Sequence, residues 1–410
     1  MNNKSRTRRR ISPQIVEEQP IPETLYFQHE KRCKLGDLDF IRKAFCAVSY
    51  DFPSPNEQST LGTFLKRVIL EHIVTFILIF YIIGDTISII SSVDHLPIGL
   101  LFSATITDFC IISIRLLLLY KRKVIISTLE YLLQTHSKFQ TRRTENRKLY
   151  ILVGFCTCFV IPTAFFSQTV ELCFTDELLK SYVEDSFFGW SSQENWINCA
   201  ALTGLDVVVM NQKYTFPGFT IVLCCYVFGL LRRILESFAV SIEEKDDFRT
   251  MFDFFSKNSQ KILRCIQQVE NSFSLLLLLN FGYMLCSIFS VSTILIRLNP
   301  ADTDMKLVIP HYISLVLVLA AFYITSVRAT AVHEKAVEIK DCIHKMVAEK
   351  ATLKHSLSPE EQCLLLSMAS EFPSRIVITG WDLFTLNRHF IRRTAGGIIT
   401  YGMLLSQIDK

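Results

Sequence analysis

The sequence predicts an all-α, polytopic membrane protein with seven transmembrane helices, and three observations carry that prediction. Half of the 410 residues are apolar and only 20% are charged, a balance that points away from a soluble globular domain. The apolar residues gather into runs of roughly twenty, the length of a bilayer-spanning helix. Lysine and arginine divide unequally, with 37 of 43 in alternate connections between those runs.

Residues 1–67 form the N-terminal segment. Its basic block, Arg6, Arg8, Arg9 and Arg10, reads as a solvated tail or one resting on anionic lipid. It has no apolar core of signal-peptide length, so insertion rests on the first span, residues 68–90. The second span is 96–120, followed by a loop at 121–148 rich in Lys and Arg. The third is 149–170, with Pro162 placed to kink it. A long polar loop, 171–214, leads to the fourth span at 216–231. Residues 232–271 are charged but keep helical periodicity through Ile234, Phe238, Ile242, Phe252, Phe255, Ile262 and Ile266.

The fifth span is 272–296 and the sixth 307–327, so the first six spans and their loops fill residues 68–327. Beyond them, residues 328–355 continue a helical pattern into water through Val332, Ala336, Ile339, Ile343 and Val347. Ser358, Pro359, Glu360 and Glu361 then give a capping box with Pro in the first turn. They open a fresh helix through Met368 that Pro373 should end. The seventh span falls within 388–410.

The basic connections should face the cytosol. That puts the N-terminus, the loops 121–148 and 232–271 and the segment 328–387 inside, and the loop 171–214 and the C-terminus outside. The expectation is a multi-pass protein of the plasma membrane, with membrane lipid as a constant partner. A G-protein-coupled receptor has the opposite sense. The chain also lacks Asp-Arg-Tyr after span three and Asn-Pro-x-x-Tyr in the last span.

Polar side chains inside spans are expensive and therefore informative. Tyr81 and Asp85 share one face of span one with Ser88, and Asp108 lies in the middle of span two, where it needs an ionic partner or a wet cavity. Span three offers Phe166 and Gln168. Span five carries Asn280, Tyr283, Ser287 and Ser290 as one stripe, and span six has His311, Tyr312 and Ser314. Together they outline a ligand pocket open to the outer side, or they bond neighbouring helices and touch no ligand. Arg115 is expected to snorkel towards the cytosol. Cys173 and Cys199, in the outer loop, are the pair placed to form a disulfide in an oxidising exterior. Seven acidic residues in that loop against two lysines would raise the local cation concentration.

The last span is the least apolar. Arg388, Arg392 and Arg393 crowd its start, and Gly396, Gly397, Thr400, Tyr401 and Gln407 suit a helix facing protein or water rather than lipid. Gly397, Thr400 or Tyr401, Leu404, and Gln407 or Ile408 recur at three- and four-residue intervals, on one face.

Thr400-Tyr401, five residues, then Gln407 resembles the terminal Thr-Tyr, five mostly apolar, Gln-Phe signature of insect gustatory receptors. The run Ile376, Ile378, Gly380, Phe384, Leu386 and Gly397 is similar to the lead-in of that signature. Ile408 stands where the family usually has Phe, and Asp409 follows directly. The resemblance implies a taste receptor acting as a ligand-gated, non-selective cation channel opened by a small-molecule tastant. It implies a homo- or hetero-tetramer with other gustatory receptors, with 328–387 as cytosolic anchor helices and residues 388–410 as the pore-lining helix. Leu404, Gln407 and Ile408 would form the gate. Thr400 and Tyr401 would hold the helix against span five or six, and Arg392 and Arg393 would turn off the axis towards Glu334, Glu338 or Asp341. The sparse carboxylates and amides within the spans favour a bitter plant compound over a sugar as the ligand.

Other classes leave weaker traces. No cofactor or metal is expected, since the thirteen cysteines show no zinc spacing, and nothing calls for nucleic acid. No nucleophile constellation appears, and His333-Glu334 lacks a second His at metalloprotease spacing, so an enzyme is not expected. A seven-span receptor signalling through a cytosolic partner and a transporter remain the alternatives. A transporter should show internal repeats, which the two halves lack.

Overall fold

Long helices dominate the molecule, and their lengths follow from where the apolar runs join charged periodic ones without a breaker. The computed structural model describes residue 45 and residues 61–91, 98–139, 173–174, 192, 194–245, 247–297, 305–350 and 358–408, all within the compact unit Arg42–Lys410. In chain order the helices are α1 (Leu61–Ser91), α2 (Ile98–Lys138), α3 (Asn195–Met210), α4 (Phe216–Glu243), α5 (Phe248–Arg297), α6 (Met305–Lys350), α7 (Pro359–Arg375) and α8 (Arg388–Ile408). A π turn, Asn211–Thr215, joins α3 to α4. Among the described residues, four stretches are long and apolar enough to cross a membrane: Gly99–Lys138, Asn195–Glu243, Phe248–Ile296 and Val308–Glu349. In α1 the apolar stretch is the shorter Glu71–Gly84. Span three and Pro162 lie outside the described residues.

With 50 residues in α5 and 46 in α6, these helices run about 75 and 69 Å at 1.5 Å per residue. A hydrocarbon core is about 30 Å thick, so more than half of each helix lies beyond it. Of the stretches read as periodic, 232–243 is the end of α4, 248–271 the start of α5 and 328–350 the end of α6. Three expectations need correction. The loop at 121–148 is helical as far as Lys138, because Ile125, Leu129 and Leu132 continue the stripe of Ile111, Ile114 and Leu118, all buried to 1% or less. The second half of the 171–214 loop is helix α3 and the π turn. Pro373 does not end its helix but sits in the last turn of α7, which runs to Arg375.

The capping box forms as the sequence indicates, with Ser358 Oγ accepting from Glu361 N–H and the Glu361 carboxylate accepting from Ser358 N–H at 3.1 Å. Helices α2 and α5 make the most extensive pairing, and α6 packs against α4, α5 and α7. In the projecting part, Phe238 of α4 sits with Phe254 and Phe255 of α5 and Phe372 of α7 at centroid distances of 5.7, 5.8 and 6.1 Å. This aromatic knot is the core that α7 completes.

Candidate ligand site and pore helix

Two sites emerge, one between α1, α2 and the π turn and one along α8. The first starts from proline chemistry. Pro217 has no N–H, so the carbonyl four residues back, on Lys213, loses its helical donor. The chain adjusts by widening into a π turn, closed by Phe216 N–H on the Asn211 carbonyl, and the hydroxyl of Tyr283 on α5 donates to the freed Lys213 carbonyl at 2.9 Å. The extra residue re-aims Gln212 and Lys213 into the bundle.

Facing them, α2 presents Asp108, Arg115 and Arg122 at seven-residue intervals, which places them on one face about 10.5 Å apart along the axis. Each finds a partner. Lys213 Nζ stands 3.0 Å from Asp108 Oδ1 and 4.9 Å from the centroid of the Tyr81 ring on α1. Arg115, fully buried, donates from Nη1 to Gln212 Oε1 at 2.6 Å, from Nε to Thr75 Oγ1 at 2.8 Å and from Nη2 to the Glu71 carbonyl at 3.3 Å. Its guanidinium also lies 5.4 Å over the Phe216 ring. Arg122 Nη2 is 2.8 Å from both carboxylate oxygens of Glu71.

The expectation that Arg115 snorkels is therefore wrong. The three acceptors supplied by α1 and the π turn hold it inside, and leaving them unmade would strand buried polar groups. Asp108 finds the partner it requires in Lys213, a residue read from sequence as part of an outer loop.

Among the candidate pocket residues, the structure brings Tyr81, Asp108 and Tyr283 together around Lys213, with Ser287 one turn along α5 from Tyr283. Asn280 lies apart, accepting from Thr220 Oγ1 at 2.7 Å and donating to the Leu276 carbonyl. Ser290 bonds Ser103 at 2.7 Å. His311 is half-buried and Tyr312 exposed on α6. Asp85 lies on α1, with its side chain outside the described residues, as do Phe166 and Gln168 entirely. Cys173 and Cys199 are joined by a disulfide, with Leu202 buried beside them. It fastens α3 to the chain that precedes it.

The second site is prepared by a short hairpin, Thr379–Gly380 paired antiparallel with Phe384–Thr385. Its turn places Trp381 and Asp382 at φ of 51° and 58°, a left-handed conformation that is costly for a side chain as large as Trp. A Cβ at Gly380 would collide with the Phe384 ring, so only glycine fits there. The Thr379 N–H donates to Glu270 Oε1 of α5 at 3.2 Å, and burial pushes the Glu270 carboxyl above its usual range. His333 Nδ1 of α6 lies 3.1 Å from the Ile376 carbonyl. Asn387 then caps α8, its Oδ1 accepting from Phe390 N–H at 2.9 Å, and Phe390 stacks on Phe384 at 4.7 Å.

From there α8 runs beside the distal half of α5. Arg388 pairs with Glu334 of α6. Three turns on, the Tyr401 hydroxyl lies 3.2 Å from Thr293 Oγ1 and its ring 4.5 Å from Phe289, both on α5. Thr400 is exposed and bonds only its own helix, at the Gly396 carbonyl. The expectation that it helps hold α8 to span five or six is thus not met, since the bulky, bonded neighbour Tyr401 takes that face. Arg392 and Arg393 are exposed and reach none of Glu334, Glu338 and Asp341. Arg388, one turn closer, takes Glu334, while Glu338 pairs with Lys335 and Asp341 with Lys340. The face away from α5 exposes Ile399 at 59%, Met403 at 63% and Leu404 at 53%. Gln407 and Ile408 lie on the last turn of α8, and their side chains are outside the described residues.

The architecture matches a solved one. The insect olfactory receptor OR5 from Machilis hrabei superposes with a TM-score of 0.61, covering 92% of this chain and 99% of that chain at 14% identity. The same receptor in complex with eugenol gives 0.56 over the same coverage and identity. The fold is that of an insect olfactory receptor. No family profile matches the sequence, and neither does any curated protein. The chemoreceptor fold thus persists at an identity too low for sequence comparison to find it, and with it comes the reading of the chain as a helical, multi-pass membrane protein.

Proposed function

We propose that this protein is an insect chemoreceptor of the gustatory type, a ligand-gated cation channel of the plasma membrane opened by a small-molecule tastant. The observation that carries the reading is the two-sidedness of α8. One side is fastened to α5 by Tyr401 and to α6 by Arg388, while the other leaves Ile399, Met403 and Leu404 uncovered beside Gly396 and Thr400. A helix with small, hydroxyl and apolar groups on its uncovered face suits a conduit that apolar side chains close by dewetting. In this reading four copies, or copies of related receptors, surround an axis, with Leu404, Gln407 and Ile408 as the gate. The seven-span layout with the N-terminus inside supplies its orientation.

The pocket lies around Tyr81, Asp108 and Tyr283, and the neighbour solved with eugenol supports a small organic ligand of that size. A ligand that prefers the open-state pocket shifts the closed-to-open equilibrium by its difference in affinity. The shift reaches α8 through α5, which carries both Tyr283 and Thr293. Patch recording from cells expressing this chain alone, during application of sugars and bitter plant metabolites, tests the proposal. Ligand-evoked cation current, lost on Leu404→Lys, is expected. Ligand-dependent signalling without conductance in a reconstituted bilayer would overturn it in favour of a receptor that acts through a cytosolic partner.

A further inference from the structure

The groups around the Lys213 ammonium define a recognition site in their own right. A carboxylate at 3.0 Å, Asp108, and the face of an aromatic ring at 4.9 Å, Tyr81, are what binds an organic ammonium: charge on one side, ring quadrupole on the other. Asp108 is the deep member, its side chain 4% exposed, and Lys213 lies between it and the surface at 18%. The π turn, set by Pro217, is what brings this lysine inward, and Tyr283 fixes its backbone.

We propose that Asp108 and Tyr81 form an ammonium box in which Lys213 is a tethered occupant, and that the ligand class admitted there is a small protonated amine that displaces it. This deepens the proposed function by naming a ligand class, and it rests on that reading only for the electrical consequence. A cation is favoured over an anion on two counts. The carboxylate is the buried, fixed end of the pair, and residues 171–214 carry seven acidic residues against two lysines, a field that concentrates cations. An intramolecular occupant competes at an effective concentration on the order of millimolar, so the native protein should bind amines weakly and a protein without the lysine should bind them tightly.

Thermal unfolding of the full-length protein in detergent, with propylammonium or phenethylammonium as the probe, tests this independently of channel activity. Lys213→Ala leaves Asp108 buried without its ammonium, and propylammonium should restore much of the lost Tm. The matched neutral alcohol should not, and the double variant Asp108→Asn, Lys213→Ala should respond to neither. Binding of propylammonium to Lys213→Ala should be at least about tenfold tighter than to the native protein. If Lys213→Ala yields no folded protein, the native chain serves. Phenethylammonium should raise its Tm and should not raise that of the double variant. Equal effects of amine and alcohol on Lys213→Ala, or equal responses of the native protein and the double variant, would overturn the box. Amine binding without amine-evoked current would uphold the box and count against the channel reading alone.

Discussion

The seam between α1, α2 and the π turn and the outward face of α8 solve opposite problems. In the seam, charges sit where water is excluded, and every described one is partnered: Asp108 by Lys213, Arg115 by Gln212 and Thr75, Arg122 by Glu71. On α8, apolar side chains that any core would accept are exposed, and Glu334, Glu338 and Asp341 pair with Arg388, Lys335 and Lys340 rather than with the arginines at 392 and 393. The first region is complete within one chain. The second makes physical sense only once something beyond the chain covers it. Polar groups in a low-dielectric interior demand partners or destabilise the fold, whereas exposed apolar groups merely leave a surface available.

The comparison breaks most sharply at Arg115. Arg115→Leu removes the donors to Gln212 Oε1, Thr75 Oγ1 and the Glu71 carbonyl and should cost about 3 kcal/mol, read as loss of monodisperse protein and a lower Tm in detergent. Arg115→Lys should fall between, because an ammonium cannot span three acceptors arranged for a guanidinium. Next in size is Tyr401→Ala, which removes both the ring contact with Phe289 and the hydroxyl contact with Thr293. It should weaken the hold of α5 on α8 by about 2 kcal/mol, appearing as altered basal current with little change in Tm. Tyr401→Phe keeps the ring and should give about half that effect.

If α8 lines the proposed channel, replacing Arg392 and Arg393 by Glu should raise cation conductance severalfold by reversing the local field, and it should leave Tm unchanged because neither residue is tied to Glu334, Glu338 or Asp341. The smallest effect concerns Glu270. Its folded carboxyl is raised by burial, so the unfolded chain ionises first, and the native state loses stability as pH rises from the ordinary carboxylate range to the raised value. Acidification through that window should therefore raise Tm slightly, and Glu270→Gln, which keeps an acceptor for Thr379, should abolish the pH response at a cost under about 1 kcal/mol. A Tm that falls on acidification there would contradict the assignment.

Part of this was readable in advance, for stated reasons. The periodicities of α4, α5 and α6 beyond the spans and the capping box at Ser358 are local signals, set within four residues of chain. The π turn also has a local signal, Pro217, but Pro217 falls at the second residue of the fourth span, 216–231, a position where a proline simply suits a helix start. The partner of Arg115 had none. Thr75 and Gln212 lie 40 and 97 residues away, and nothing in the spacing of α2 distinguishes a snorkelling arginine from an enclosed one. The same holds for Glu334, which Arg388 takes in place of Arg392 or Arg393.

Composition and hydrophobic period alone determined that this chain is a bundle of long helices meeting a bilayer, because the cost of exposing apolar surface or unpaired backbone acts residue by residue along the sequence. Which charge meets which, and which face of α8 is held and which is left open, were decided only by tertiary packing. Those choices depend on distances between residues far apart in sequence, and a one-dimensional pattern carries no information about them.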